Sequence, residues 1–224
     1  NGLFEGEVPD FEEIFPYLTP QGQQPPQLGI YELAYSPQAW QILTEIYQKH
    51  SPNFPFTDFF WNWRFISFPI LQLLNAPIPQ AKVYHTVTTG WSGLLAVLAK
   101  MRTGRPLILT EHGIYTNERR IEIVKADWLF VERNTDRNRT DFGVLKTLWI
   151  NLFNALGRLC YRWSDQIYTL FEGNRRLQLE AGAPAQKIEI LPNGVDVEKL
   201  SAVSQAAPPK QAGAPFRVGF VGRV

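Results

Sequence analysis

The chain has 224 residues, 45% of them hydrophobic, which is enough to bury a sizeable core without a disulfide or a metal. Its 22 basic and 21 acidic residues leave a net charge of +1, which argues against the strongly basic surface of a nucleic-acid-binding protein. The single cysteine, Cys160, excludes an internal disulfide, and the three histidines are too scattered for a zinc site. We therefore expect a reducing, cytoplasmic setting and no nucleic-acid partner.

The first segment of the chain is polar and irregular. No apolar run approaches the roughly 18 residues that span a bilayer, and the acidic start lacks the basic region of a signal peptide. A stretch rich in proline and glutamine follows at residues 16–26. Because proline donates no backbone hydrogen bond, this stretch predicts a surface loop or linker.

Two helices are predicted next. Ser36-Pro37 is typical of a helix start, and apolar residues at helical spacing continue until Ser51-Pro52 ends the helix. A second helix is predicted to begin near Thr57 and carries six aromatic residues between positions 59 and 68. These are too many for one helix face, so this helix is expected to be buried on more than one side.

Beyond Pro79, short β-type runs alternate with helical periods. This alternation predicts an α/β fold, with a Rossmann-like parallel sheet flanked by helices. The predicted strands are residues 82–85, 107–110, 166–170, 188–191 and 218–221. A helix over residues 93–102, closed by Gly104, is expected to cover the sheet.

A long apolar stripe runs from Leu145 to Trp163 at spacings of three and four residues. It predicts a second helix that packs against the sheet. The basic residues beside it, Lys146, Arg158 and Arg162, leave a second interpretation open, in which the helix lies on a membrane surface.

Polar turns follow the predicted strands, and parallel α/β sheets bind ligands beyond the carboxyl ends of their strands. His85 and Thr86 belong to the first such turn, whose hydroxyls and glycines suit either a sugar-hydroxyl site or ordinary helix capping. Glu111 and His112 follow the second strand, so His112 is a candidate catalytic residue. A lone histidine is also often only a hydrogen-bonded structural residue, and that alternative stays open.

Other short motifs exclude some chemistries. The turn Gly90-Trp91-Ser92-Gly93 does not have the spacing of a hydrolase nucleophile elbow. Residues 219–222 lack the glycine spacing of a nicotinamide or flavin site. Gly222 and Arg223 would suit a phosphate, because glycine permits close backbone approach and arginine supplies fixed donors.

Taken together and in this order, these turns resemble a known family. Residues 188–196, followed by a linker and residues 218–224, resemble the domain junction of family 4 retaining glycosyltransferases of the GT-B fold. Residues 83–93 and 110–122 are similar to the PelF-type glycosyltransferases of Pel exopolysaccharide synthesis, and so is the aromatic-rich segment from Asp58 to Arg64.

The resemblance implies two Rossmann-like domains, with an acceptor-side domain at residues 1–204 that lacks its first strands. Residues 205–215 would be the interdomain linker, and residues 216–224 would begin the nucleotide-sugar domain. The implied reaction is transfer from a UDP-sugar to a growing exopolysaccharide acceptor with retention and without a metal cofactor. A membrane-bound polysaccharide synthesis complex is an implied partner. The chain is then expected to be an internal piece that does not turn over unaided.

The resemblance also assigns residues. It makes His112 the active-site histidine that contacts the donor sugar, and it places Gly222 and Arg223 at the diphosphate. The residues implied for the cleft and the acceptor are His85, Thr86, Glu111 and Asn193.

Two other functions stay open. The first is a UDP-sugar epimerase, because one architecture supports several reactions. The second is a noncatalytic carbohydrate-binding or scaffold module, in which the aromatic side chains between Phe59 and Phe68 stack on sugar rings. For those residues a place in the core is favoured, since large rings dominate protein interiors.

Overall fold

The computed structural model describes residues 2–6, 11–19, 29–126 and 143–206, together with Gly213 and Gly219. The chain divides into a large unit, residues 1–192, and a small unit, residues 193–224. The predicted boundaries at residues 204 and 215 stay a prediction, and the predicted strand 218–221 lies outside the described residues except for Gly219.

Helices precede the first strand, and helices then alternate with strands. The amino-terminal helices are α1 (Gly2–Glu5), α2 (Phe11–Leu18), α3 (Ile30–Tyr35), α4 (Pro37–His50) and α5 (Phe56–Leu74). The strands are β1 (Tyr84–Thr86), β2 (Leu107–Glu111), β3 (Gln166–Thr169) and β4 (Ile188–Ile190). The later helices are α6 (Trp91–Thr103), α7 (Tyr115–Lys125), α8 (Gly143–Trp163), α9 (Glu172–Glu180) and α10 (Val197–Ala206), with a short 3-10 helix at Ala185–Lys187.

Strands β1 to β4 form one parallel sheet whose spatial order is their order along the chain. Leu109 of β2 lies opposite Thr86 on one side and Ile167 on the other. Each crossover moves in the same direction, and right-handed crossovers therefore bring their helices to one face. Helices α8 and α9 both contact Glu111 at that face. The predicted α/β fold, a Rossmann-like parallel sheet flanked by helices, is confirmed.

Helix α8 carries the long apolar stripe and packs it into the core. The buried leucines of the stripe are Leu145, Leu148, Leu152, Leu156 and Leu159. Each contributes roughly 2 kcal/mol by leaving water. Lys146 is only 5% exposed, and its Nζ donates a 2.8 Å hydrogen bond to the carbonyl of Val124 at the end of α7. The core interpretation of the stripe is thus confirmed, and the membrane-surface alternative is wrong because this face is covered by protein.

Local capping signals in the sequence are also confirmed. The Ser36 side chain accepts a 3.1 Å hydrogen bond from the Ala39 backbone N–H, and Pro37 is the first residue of α4. Gly104 ends α6 with a φ of +67°, a left-handed conformation that favours glycine. Within the described ranges, no helix combines the length and the apolar composition needed to cross a membrane.

The amino-terminal stretch differs from its prediction. Pro16, expected in a loop, lies inside α2, while residues 20–28 are outside the described part. The helix persists because Phe15 is buried in the core, and tertiary packing outweighs the one backbone bond that proline removes. The Thr19 hydroxyl closes the end of the helix by donating a 2.9 Å hydrogen bond to the Phe15 carbonyl.

The aromatic helix α5 begins within one residue of its predicted start and packs against α4 and α8, but one of its faces is open. Phe59 is fully buried, whereas Trp61 is 54% exposed and Phe65 is 59% exposed. Trp61 and Phe65 are four residues apart and therefore share one helix face. The expectation that this helix is buried on more than one side is confirmed where it packs against α4 and α8, but it is wrong for the face of Trp61 and Phe65, which is exposed.

Candidate functional site

The loops after β1, β2 and β3 meet at the carboxyl-terminal edge of the sheet, where parallel α/β sheets bind ligands. His85 and Thr86 end β1, Glu111 ends β2, and His112 follows directly. Since β1 and β2 are adjacent parallel strands, the structure brings these four predicted residues to one edge. We call this region the crevice edge.

The side chain of His112 is exposed at the crevice edge. Its backbone is hydrogen-bonded to helix α9, which belongs to the crossover between β3 and β4. Nδ2 of the buried Asn174, on α9, donates a 2.9 Å hydrogen bond to the His112 carbonyl. The imidazole is therefore accessible to a ligand, and the main chain that carries it is fixed. A side chain that contacts a substrate needs such support from rigid elements.

His85 and Thr86 point to opposite faces of the sheet, because side chains alternate along a strand. His85 is exposed, and its Nε2 lies 2.9 Å from Oγ1 of Thr110 on β2. Thr86 is buried and donates a 2.8 Å hydrogen bond to the Thr88 carbonyl in the loop before α6. His85 can thus contact a ligand directly, whereas Thr86 shapes the loop.

Glu111 is 1% exposed and lies beneath the crevice edge. Its Oε2 accepts hydrogen bonds from the Tyr161 hydroxyl, at 2.7 Å, and from Nε2 of Gln178, at 2.9 Å. The hydroxyl of Thr89 donates to Oε1 at 3.5 Å. The carboxylate therefore joins the loop before α6, helix α8 and helix α9 to the strand that ends just before His112.

Burial governs the titration of this cluster. It raises the pKa of Glu111 above its usual range, although hydrogen bonds from Gln178, Tyr161 and Thr89 counter the rise. Burial also raises the pKa of Tyr161 and of Cys160, and the neighbouring Glu111 carboxylate raises both further. Tyr161 consequently keeps its proton and acts as a donor to Glu111.

The start of α6 packs closely against the start of α7. Gly90 precedes α6 with a φ of +80°, and a β-carbon there would lie 2.5 Å from Cε1 of Tyr115. Gly90 has no side chain with which to cap α6, and Ser92 in the first turn of the helix is exposed. The N-terminus of a helix and nearby hydroxyls suit a ligand that is anionic or rich in hydroxyl groups.

Sequence reasoning missed Tyr161, Gln178, Asn174 and Thr89. One signal was present: Leu107, Leu109 and Glu111 alternate along β2, so Glu111 had to share the inward face of the two leucines. A buried carboxylate needs donors, but the alternation does not say which residues supply them.

Residues 4–186 match a protein family described as a domain of unknown function, DUF3492. The chain belongs to this family. No curated protein and no solved structure matches the chain. The DUF3492 match includes β1, β2 and β3 with the loops that form the crevice edge, and it ends just before β4.

The remaining predicted site residues lie beyond the DUF3492 match. Asn193 is exposed in the irregular chain that begins the small unit, and Gly222 and Arg223 lie outside the described residues. Their roles stay predictions. Among the residues that the structure describes, no three His, Cys, Asp or Glu side chains are grouped to hold a metal ion.

Proposed function

We propose that this chain forms the acceptor-side domain of a retaining glycosyltransferase, which transfers a sugar from a UDP-sugar to a growing exopolysaccharide. The observation that supports this best is the exposed His112, held by Asn174 at the carboxyl end of the parallel strand β2. The DUF3492 family is associated with glycosyltransferase-like proteins, which favours the same activity. The resemblance of residues 83–93 and 110–122 to PelF-type enzymes narrows the acceptor to an exopolysaccharide.

In the proposed reaction, the bond from the anomeric carbon to the diphosphate breaks, and a bond to an acceptor hydroxyl forms on the same face of the sugar. The hydroxyl proton leaves with the diphosphate, whose growing negative charge is stabilised by fixed donors. Arg223 and Gly222 are proposed to supply those donors, and His112 to contact the donor sugar near the reacting carbon. His85 and Asn193 are proposed to contact the acceptor, while Glu111 and Thr86 hold the loops.

The test is transfer of radiolabelled sugar from UDP-sugars by the intact protein carrying His112→Ala. We expect a loss of about 100-fold or more, with an unchanged melting temperature because the imidazole is exposed. The matched control is His50→Ala, at the end of α4, where the ring stacks on Phe4 instead of lying at the crevice edge. Normal transfer by the His112 variant would contradict the proposal, and an isomerised nucleotide sugar formed without acceptor would identify an epimerase.

One observation favours a second candidate, a noncatalytic carbohydrate-binding module. Trp61 and Phe65 form an exposed aromatic pair on α5 with ring centroids 6.5 Å apart, and aromatic faces stack on sugar rings. In this case calorimetry would detect oligosaccharide binding that Trp61→Ala abolishes while the protein stays folded. Sugar transfer that survives Trp61→Ala and disappears with His112→Ala would favour the enzyme.

A further inference from the structure

A cavity of about 300 Å³ lies between helices α6, α7 and α8. Its apolar lining includes Trp91 at the start of α6 and Trp149 and Phe153 on α8. Its polar lining is Arg119 and Glu122 on α7. We call it the indole cavity. Its volume is at the lower end of the range for ligand sites, which suits one small ring.

The aromatic walls of the indole cavity are fixed in orientation. The Trp91 and Phe153 rings meet edge to face, with centroids 5.9 Å apart. The Trp149 and Phe153 rings are nearly parallel, at 6.1 Å and 24°. The indole N–H of Trp149 donates a 3.0 Å hydrogen bond to Oδ1 of Asn62 on α5. The cavity therefore presents preformed flat surfaces, and a ligand loses little side-chain freedom in using them.

The polar side of the indole cavity carries one charge of each sign. Arg119 forms an ion pair with Glu122, and its guanidinium lies over the Tyr115 ring at 5.2 Å from the centroid. The Nε atom of Arg119 is buried without a hydrogen-bond partner in the described part of the chain. That atom is shielded from solvent, but the side chains of Arg119 and Glu122 are 34% and 56% exposed, so the ion pair offers both donors and acceptors to a ligand.

This combination selects a ligand class. A phosphate or nucleotide is disfavoured, since Glu122 already neutralises Arg119. A purely apolar ligand is disfavoured as well, because it would remove the ion pair from water and offer it no hydrogen bond in return. A neutral sugar ring has apolar C–H faces for the aromatic walls and hydroxyls for the Arg119–Glu122 pair. We propose that the indole cavity binds one neutral sugar ring of a carbohydrate chain.

The position of the cavity relates it to the crevice edge. Trp91 directly follows Gly90 in the loop after β1, and α7 begins three residues after His112. Both segments start at the carboxyl-terminal edge of the sheet. The ring in the indole cavity is then part of the acceptor chain, and this identification rests on the proposed function, whereas the carbohydrate site itself does not.

The test is calorimetric titration of the intact protein with the neutral probes cellohexaose and chitohexaose, up to millimolar concentration. Arg119→Lys keeps the charge and loses the planar donor geometry, so it should weaken binding by about 10-fold or more. Arg120→Lys is the matched control, because Arg120 is the exposed next residue of α7 and does not line the cavity. Trp149→Phe, which keeps an aromatic ring, provides a second variant, and melting temperatures verify folding.

Binding weakened by Arg119→Lys and unchanged by Arg120→Lys would support the carbohydrate site. The site would be refuted by no binding of either probe, by equal effects of the two substitutions, or by displacement with inorganic pyrophosphate. If Trp61→Ala is the only substitution that abolishes probe binding, the carbohydrate site lies on α5 and the proposal for the cavity is refuted. If probe binding depends on Arg119 but neither the wild-type protein nor any variant transfers sugar, the carbohydrate site in the cavity is supported and the proposed function is refuted. If sugar transfer requires His112 but probe binding is unchanged by Arg119→Lys, the proposed function is supported and the carbohydrate site in the cavity is refuted.

Discussion

Removing the Tyr161 hydroxyl should destabilise the protein far more than loss of an ordinary hydrogen bond. In the native structure this hydroxyl donates to Oε2 of Glu111 at 2.7 Å, and both side chains are buried. Tyr161→Phe keeps the ring and its packing. It deletes only the donor and leaves a carboxylate with fewer partners in an environment where water cannot replace the lost bond.

The size of the effect follows from the charge on the acceptor. A hydrogen bond to a charged group contributes about 1.5–3 kcal/mol, and a buried group that loses its partner bears the upper part of that range. We therefore expect Tyr161→Phe to lower the free energy of unfolding by about 2–3 kcal/mol. For a chain of this length the melting temperature should fall by roughly 4–12 °C.

The assay is urea unfolding followed by circular dichroism at neutral pH, with Tyr84→Phe as the matched control. The Tyr84 hydroxyl also makes a 2.7 Å bond, but its acceptor is the neutral carbonyl of Pro79 at an exposed site. The control should therefore lose no more than about 1 kcal/mol. Equal losses for the two variants would refute the reasoning, because the buried charge would then have no special energetic role.

Two further predictions concern the same edge of the sheet. Because burial raises the pKa of Glu111, the native state binds its proton more tightly than the unfolded state, so the contribution of Glu111 to stability should fall as pH rises above about 4.5. Glu111→Gln should lack that fall, and a constant difference between the two urea-unfolding profiles from pH 4 to 8 would argue against it. Gly90→Ala should cost about 2–4 kcal/mol, from its positive φ and the collision with Tyr115. Gly104→Ala, with a similar φ and open space around it, should lose only about 1–2 kcal/mol in the same assay, and equal losses would contradict the close packing.

Much of the large unit could be predicted from the sequence, because the secondary structure that the local residue pattern favours is also the one that packs into the core there. The apolar run at residues 107–110 lies within one residue of β2, and the stripe on α8 faces the core as its spacing requires. β1 begins two residues later than predicted. Its ladder is set by β2, since the Tyr84 N–H donates to the Pro106 carbonyl, and a partner strand is not visible in a local pattern.

The sequence predicted where the candidate site residues lie, but it did not predict which side chains form hydrogen bonds with them. The strand pattern located His112 at a carboxyl-terminal strand end, and its exposure agrees with a ligand-contacting role. The partners of Glu111 could not be predicted, because Tyr161 and Gln178 are 50 and 67 residues away in sequence on separate helices. Only the complete set of crossovers brings them together.

The shared carboxylate beneath the crevice edge has an evolutionary consequence. Replacing Glu111 removes the acceptor that Tyr161 and Gln178 share, and replacing either donor leaves the buried carboxylate with fewer hydrogen bonds. Drift to an apolar version of this cluster would have to pass through less stable intermediates. The family can abandon this arrangement only by changing several positions at once, and the three positions should therefore co-vary among its members.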